Sequence, residues 1–275
     1  MRPASVIAFL GCLLALGIAA APAGAAKSEH LFWAGYDDGT IGRANLDGSG
    51  VDDTFITGAG QTPCGDIAVD GKYVYWSAYS DGTIGRAKRN GNQVDPNFIT
   101  GAPGPCGVAV QGKRLYWANY DDGTVGRAKK TGSGVRQDFI TGGSEPCGID
   151  ANKDFIVWGD SGTDKLARAD LDGTNVRQSF VTNAGPCYGA EISGGYAYWT
   201  NYDGNATGRV KLNGNQVLRQ YIPGGNYACG LAMSSKRIFW GNYADGEIGR
   251  SKLNGSGINQ SFITGAPGNC GLGLG

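Results

Sequence analysis

Six cysteines recur at Cys64, Cys106, Cys147, Cys187, Cys229 and Cys270, at intervals of 42, 41, 40, 42 and 41 residues. Thiols in that rhythm support three kinds of chemistry: disulfides between neighbouring copies, a ring of buried structural thiols, or a metal or redox ring. The close cysteine pairs of a zinc site are absent. Packed sheets stand about 10 Å apart, which would hold equivalent Cα atoms at roughly 8–10 Å, beyond the ~7 Å limit for an unstrained disulfide. Bridges would therefore need side chains turned toward a common axis and adjacent copies paired. A second chemistry lies in carboxylates that break the repeat. Eight residues before a tryptophan, three copies carry Ala68, Ala109 and Ala232, whereas the fourth and fifth carry Asp150 and Glu191. With Asp160 and Asn201 as further oxygen donors, that pair suits Ca²⁺ or another divalent cation. Hydration by channel water, or pairing with Arg or Lys, is the alternative. His30 is the sole histidine, so no Ser-His-Asp set can be assembled, and no phosphate-cradling loop occurs.

The elements that must position these residues follow from other positions on the same clock. Trp33, Trp76, Trp117, Trp158, Trp199 and Trp240 recur every 41 to 43 residues, and Arg43, Arg86, Arg127, Arg168, Arg209 and Arg250 keep step. Each unit reads as four short strands. The third runs over 106–110, 114–119, 124–128 and 137–140, with turns at Gln111-Gly112, Asp122-Gly123 and Thr131-Gly132. About 41 residues per four-stranded sheet, six times over, predicts an all-β, six-bladed β-propeller of antiparallel blades spanning 27–275, with no second domain. The chain enters at a second strand, Leu31-Phe-Trp, and leaves after a first strand at 270–275. The C-terminal strand is therefore expected to complete the first blade and close the ring.

In such a blade the first strand lines the channel and the second returns beside it, so the cysteines share a face with the ends of the second strands. Tyr36, Tyr79, Tyr120, Tyr202 and Tyr243 fall there, with Ser161 in the remaining place, and Asp38, Asp81, Asp122, Asp203 and Asp245 sit in the adjoining turns. A ring of tyrosines and carboxylates around a channel mouth is a recognition surface; turn and inter-blade packing roles are the competing reading. The Trp and Arg rings read as structural, with Trp between blades and Arg stacked over it or bonded to a carbonyl of the next blade. The second and fifth copies hold one extra residue between Cys and Trp, predicting bulges near Asp66 and Gly189.

The pairs Tyr75-Trp76 and Tyr116-Trp117, the run Tyr198-Trp199-Thr200-Asn201, and Leu-Asp-Gly at 46–48 and 171–173 resemble the YWTD, or class B, repeats of the low-density-lipoprotein-receptor family. The resemblance covers 31–275 and implies a binding scaffold. The Asp that ends the family motif survives only as Asp160, replaced elsewhere by Gly35, Ala78, Asn119, Asn201 and Asn242, and the family's cysteine-rich companion modules are absent.

Lys plus Arg and Asp plus Glu number 24 each, so no basic field exists for nucleic acid. Arg2, the apolar run 6–20 and the small residues 21–26 form a secretory signal pattern, with the mature chain expected to start near Lys27. Apolar sequence continues past Cys12, which argues against lipidation there. The expected product is a secreted, extracellular or periplasmic protein without membrane insertion, binding an extracellular protein or glycan through the tyrosine face. One alternative is a metal-dependent lactonase- or hydrolase-like propeller with Asp150 and Glu191 holding a cation; another is an inert envelope component.

Overall fold

The computed structural model describes residues 29–61, 63–186 and 188–275. The expected signal segment 1–26 and Cys187 lie outside the described residues. Six four-stranded antiparallel sheets stand around one axis. Second strands such as Arg114–Asn119 are buried almost throughout, because each blade packs against a neighbour on both faces. Fourth strands such as Arg136–Ile140 form the mostly exposed rim. Asn269–Leu274 pairs antiparallel with His30–Gly35 as the innermost strand of the first blade, closing the ring as expected.

The apolar core lies between blades. Tyr75 and Ile84 of the second blade pack with Leu115 and Trp117 of the third, and Phe239 and Ile248 of the sixth with Leu31 and Trp33 of the first. Each indole needs room on the paired third strand. Trp117 stands opposite Gly126, where an added Cβ would meet its Cε2 at 2.1 Å. In the fourth blade that position is Ala167, and Trp158 Nε1 is buried without a partner.

The arginines correct one expectation. They stack on the aromatic ring of their own blade's fourth strand instead of on the tryptophan: Arg86 over Phe98 at 3.7 Å, Arg127 over Phe139 at 3.8 Å, Arg209 over Tyr221 at 3.9 Å. The cause is the pleat. Arg127 stands opposite Tyr116, one residue from Trp117, so the two-residue period sends it to the other face of the blade. Arg168 does reach the next blade, donating to the carbonyl of Leu212.

Candidate binding site

The inner strands converge at the axis because small residues sit there. A Cβ on Gly65 would meet Gly107 N at 2.3 Å, one on Gly148 would meet Gly189 Cα at 2.7 Å, and one on Gly271 would meet Gly65 O at 1.7 Å. Backbone thus packs on backbone around the hub. The expected 8–10 Å separation is overturned: Cα atoms are 4.7 Å apart at Cys106 and Cys147 and 4.8 Å apart at Cys229 and Cys270, and both pairs are disulfides. Sheets stack at their full spacing only where side chains separate them, and glycine removes the spacer.

Both bridges join neighbours but belong to opposite registers of the ring. Cys64 is in neither; its Sγ lies 3.0 Å from Cys106 Sγ, and the sulfurs of Cys64, Cys106 and Cys147 lie within 4.8 Å of one another. Burial first, and Asp66 after it, push the Cys64 thiol up to about 12 against the pull of the Gly65 amide. The thiol is therefore protonated and a weak nucleophile. Non-reducing peptide mapping should recover Cys106 linked to Cys147 and Cys229 linked to Cys270. Native alkylation should label Cys64 far more slowly than a model thiol, and rapid labelling would contradict this placement.

Above the cysteines the channel widens into a bowl of about 350 Å³, lined by Tyr36, Tyr79, Tyr120, Tyr188, Tyr202 and Tyr243 with Cys64, Cys106 and Cys270 at its floor. All five tyrosines expected on this face line it. The sixth, Tyr188, fills the place that Ser161 leaves. The rings form three edge-to-face pairs: Tyr36 with Tyr243 at 6.4 Å and 88°, Tyr79 with Tyr120 at 5.9 Å and 78°, Tyr188 with Tyr202 at 5.2 Å and 77°. Such packing orients each ring against its neighbour's quadrupole.

Carboxylates grip two of these rings, though neither carboxylate is one of the five expected. Tyr79 donates to Asp121 Oδ1 at 2.7 Å and Tyr120 donates to Glu145 Oε2 at 2.9 Å. The bond to Asp121, then burial, push Tyr79 up to about 12. Burial, followed by Cys64, Tyr243 and Asp37, raises Tyr36, and burial heads the causes that raise Tyr188 and Tyr202, with Asp203 contributing to both. The bowl is thus a set of neutral phenols at any physiological pH. Asp81 and Asp245 instead brace loops, accepting from Gln61 N at 2.8 Å and Asn226 Nδ2 at 2.7 Å. Asp38, Asp122 and Asp203 are exposed in their turns.

Below the glycine hub lies a chamber of about 170 Å³ containing Asp66, Asp150 and Glu191. Asp66 reaches from the second blade across the axis, accepting from Ala190 N at 2.7 Å in the fifth and Leu231 N at 3.0 Å in the sixth. Asp150 accepts from Ala151 N at 2.7 Å and Ile192 N at 2.8 Å, and it hydrogen-bonds the Glu191 carboxyl. Burial raises all three, Asp150 to about 6, and the neighbouring carboxylates raise Glu191 further. Glu191 therefore holds the shared proton and donates it to Asp150. The structure brings Asp150 and Glu191 together but does not bring Asp160 and Asn201 to them. Asp160 stands opposite Pro146 at the bowl end of its blade and accepts from Ser144 N at 2.9 Å, while Asn201 accepts from Gly204 N at 2.8 Å.

Two residues missed as site members left a signal in the sequence. Tyr188 is the extra residue of the fifth copy, because Gly189 takes the hub place opposite Gly148. In the second copy the register shifts between Cys64 and Ala68, and the bulge there projects Asp66 across the axis. Asp121 and Glu145 left none.

Fold and site together define the class: a six-bladed β-propeller with an aromatic bowl at one mouth and a carboxylate chamber beneath. No protein-family model matches the chain, and no curated protein sequence matches it. Among solved structures, a chain in a nidogen/laminin complex is similar at TM-score 0.76 and 22% identity, over 90% of this chain and 98% of that one. Virginiamycin B lyase from Staphylococcus aureus is similar at TM-score 0.56 and 15% identity, over 77% of this chain and 73% of that one. A streptogramin B lyase gives 0.57 and 15%, over 72% and 68%. At these identities the likeness is one of fold.

Proposed function

We propose that this chain is an extracellular interaction propeller that captures a polypeptide partner in the tyrosine bowl. The observation that carries this reading is the bowl itself: six interlocked, partly exposed aromatic rings on a rigid disulfide-bearing floor offer contact area at low conformational cost. The disulfides and the nidogen/laminin neighbour support an extracellular setting. A lyase activity like that of the other neighbours has less support. A His-to-Ala variant of virginiamycin B lyase is catalytically inactive, whereas His30 here lies at the far end of its strand from the bowl, with its backbone N bonded to Gly275 O at 2.7 Å.

The test is an array of purified extracellular proteins and oligosaccharides probed with the wild-type chain and with Tyr188→Ala. Tyr188 lies outside the regular repeat, so its truncation should leave the fold intact. Binding to a protein, weakened at least tenfold by Tyr188→Ala, is expected. Binding only to oligosaccharides, or protein binding indifferent to Tyr188, would overturn the proposal.

A further inference from the structure

The net charge of zero conceals a division between the two faces. The six turns that follow the second strands on the bowl side, 36–39, 79–82, 120–123, 161–164, 202–205 and 243–246, contain eight aspartates and no Lys or Arg. The connections between blades on that side add Glu145 and no base; Lys165 stands just after the fourth turn, beside Asp160. The opposite face carries Lys72, Arg89, Lys113, Lys130, Lys153 and Lys236 in its turns against Asp47, Asp70, Asp154 and Asp172, with Lys130 paired to Asp70 and Lys153 to Asp154. The molecule is a disc with a strongly acidic aromatic face and a weakly basic opposite face, and its field along the axis points a cation toward the bowl.

The bowl's own geometry has the same sign. Each of its three edge-to-face tyrosine pairs has a carboxylate beside it: Asp37 by Tyr36 and Tyr243, Asp121 on Tyr79, Asp203 by Tyr188 and Tyr202. A phenol that donates to a carboxylate gains electron density in its ring, and ring faces attract cations. A cavity of about 350 Å³ is at the small end of ligand sites, room for one or two side chains and not for a folded module.

We infer that the group this bowl receives is a basic side chain, Arg above all, projecting from the polypeptide partner. This rests on the reading that the bowl binds a polypeptide at all. Arg fits better than Lys because its planar guanidinium stacks on an aromatic face and its donor fork matches a carboxylate at the rim, such as Asp121 beside Tyr79 or Glu145 beside Tyr120. An anionic side chain would be repelled by the carboxylates of the surrounding turns.

The test uses the full chain and two capped tripeptides, Gly-Arg-Gly and its citrulline counterpart, which keeps the shape and removes the charge. Titration is followed by calorimetry and by tyrosine ring resonances. The expected result is millimolar or tighter binding of the Arg peptide, at least tenfold weaker binding of the citrulline peptide, and loss of affinity on raising the salt. Asp121→Asn with Glu145→Gln, both at the surface, should weaken the Arg peptide at least threefold with the circular dichroism unchanged. Equal binding of the two peptides, binding unmoved by salt and by the double variant, or no binding of either peptide at 20 mM would each overturn the inference. The two readings fail separately. A partner lost with Tyr188→Ala but indifferent to the charge variants leaves the interaction propeller standing and removes only the cation.

Discussion

Gly271→Ala should cost about 3 kcal/mol or more of folding free energy and weaken the ring at its non-covalent seam. The new Cβ would fall 1.7 Å from Gly65 O and 3.3 Å from Ala34 Cβ, and the first of these is backbone of the neighbouring inner strand. No rotamer relieves that contact. The C-terminal strand has to withdraw from the axis, which pulls on its ladder with His30–Gly35. Gly71→Ala is the control, since nothing lies within 4 Å of its added Cβ. Urea unfolding and limited proteolysis should show a lowered midpoint and early cleavage near the C-terminus for Gly271→Ala alone. A midpoint matching the control would mean that the hub is looser than the structure shows.

Asp66→Ala should destabilise by a similar amount, about 2–5 kcal/mol, through a different cause. Its two oxygens satisfy Ala190 N and Leu231 N, and both amides are buried in blades far away in the chain. Losing the carboxyl orphans both donors at about 1–3 kcal/mol each. Asp66→Asn keeps one acceptor and should cost less.

The same chamber sets the pH dependence. Burial raises Asp66, Asp150 and Glu191 in the folded state above their unfolded values near 4. The folded protein therefore binds more protons than the unfolded chain over that window, and stability falls as pH rises. The contribution is fully present below pH 4 and declines as pH rises through about 6, where Asp150 titrates, with Glu191 and Asp66 acting in the same direction. Each proton involved contributes up to about 1.4 kcal/mol per pH unit. The urea midpoint should be higher at pH 5 than at pH 8, and Glu191→Gln should flatten the difference. A midpoint that rises from pH 5 to pH 8 would show these carboxyls ionised in the fold.

The ring of blades was legible because repetition is a one-dimensional property. The spacing of Trp33 to Trp240 and of Cys64 to Cys270 needs no knowledge of distance, and the split between Leu31 and Cys270 already placed the closing strand. The face bearing Tyr36 to Tyr243 was legible for the same reason, since strand direction alone puts those residues beside the cysteines. What repetition cannot carry is a contact between copies. The hub distance was misjudged because the approach of inner strands depends on Gly65 and its counterparts meeting backbone to backbone, a property of six blades at once. Asp121 and Glu145 look like ordinary turn residues until the ring brings them to Tyr79 and Tyr120. Tyr188 and Asp66 appeared in the sequence only as an added residue in two copies. The sequence by itself determined the number of blades, their strands and the face that carries the aromatic rings, because those follow from local pattern and period. Only the tertiary structure decided which cysteines bridge, which carboxylates hold the tyrosines and that Asp66 crosses the axis, because each depends on side chains from different blades converging within about 3 Å.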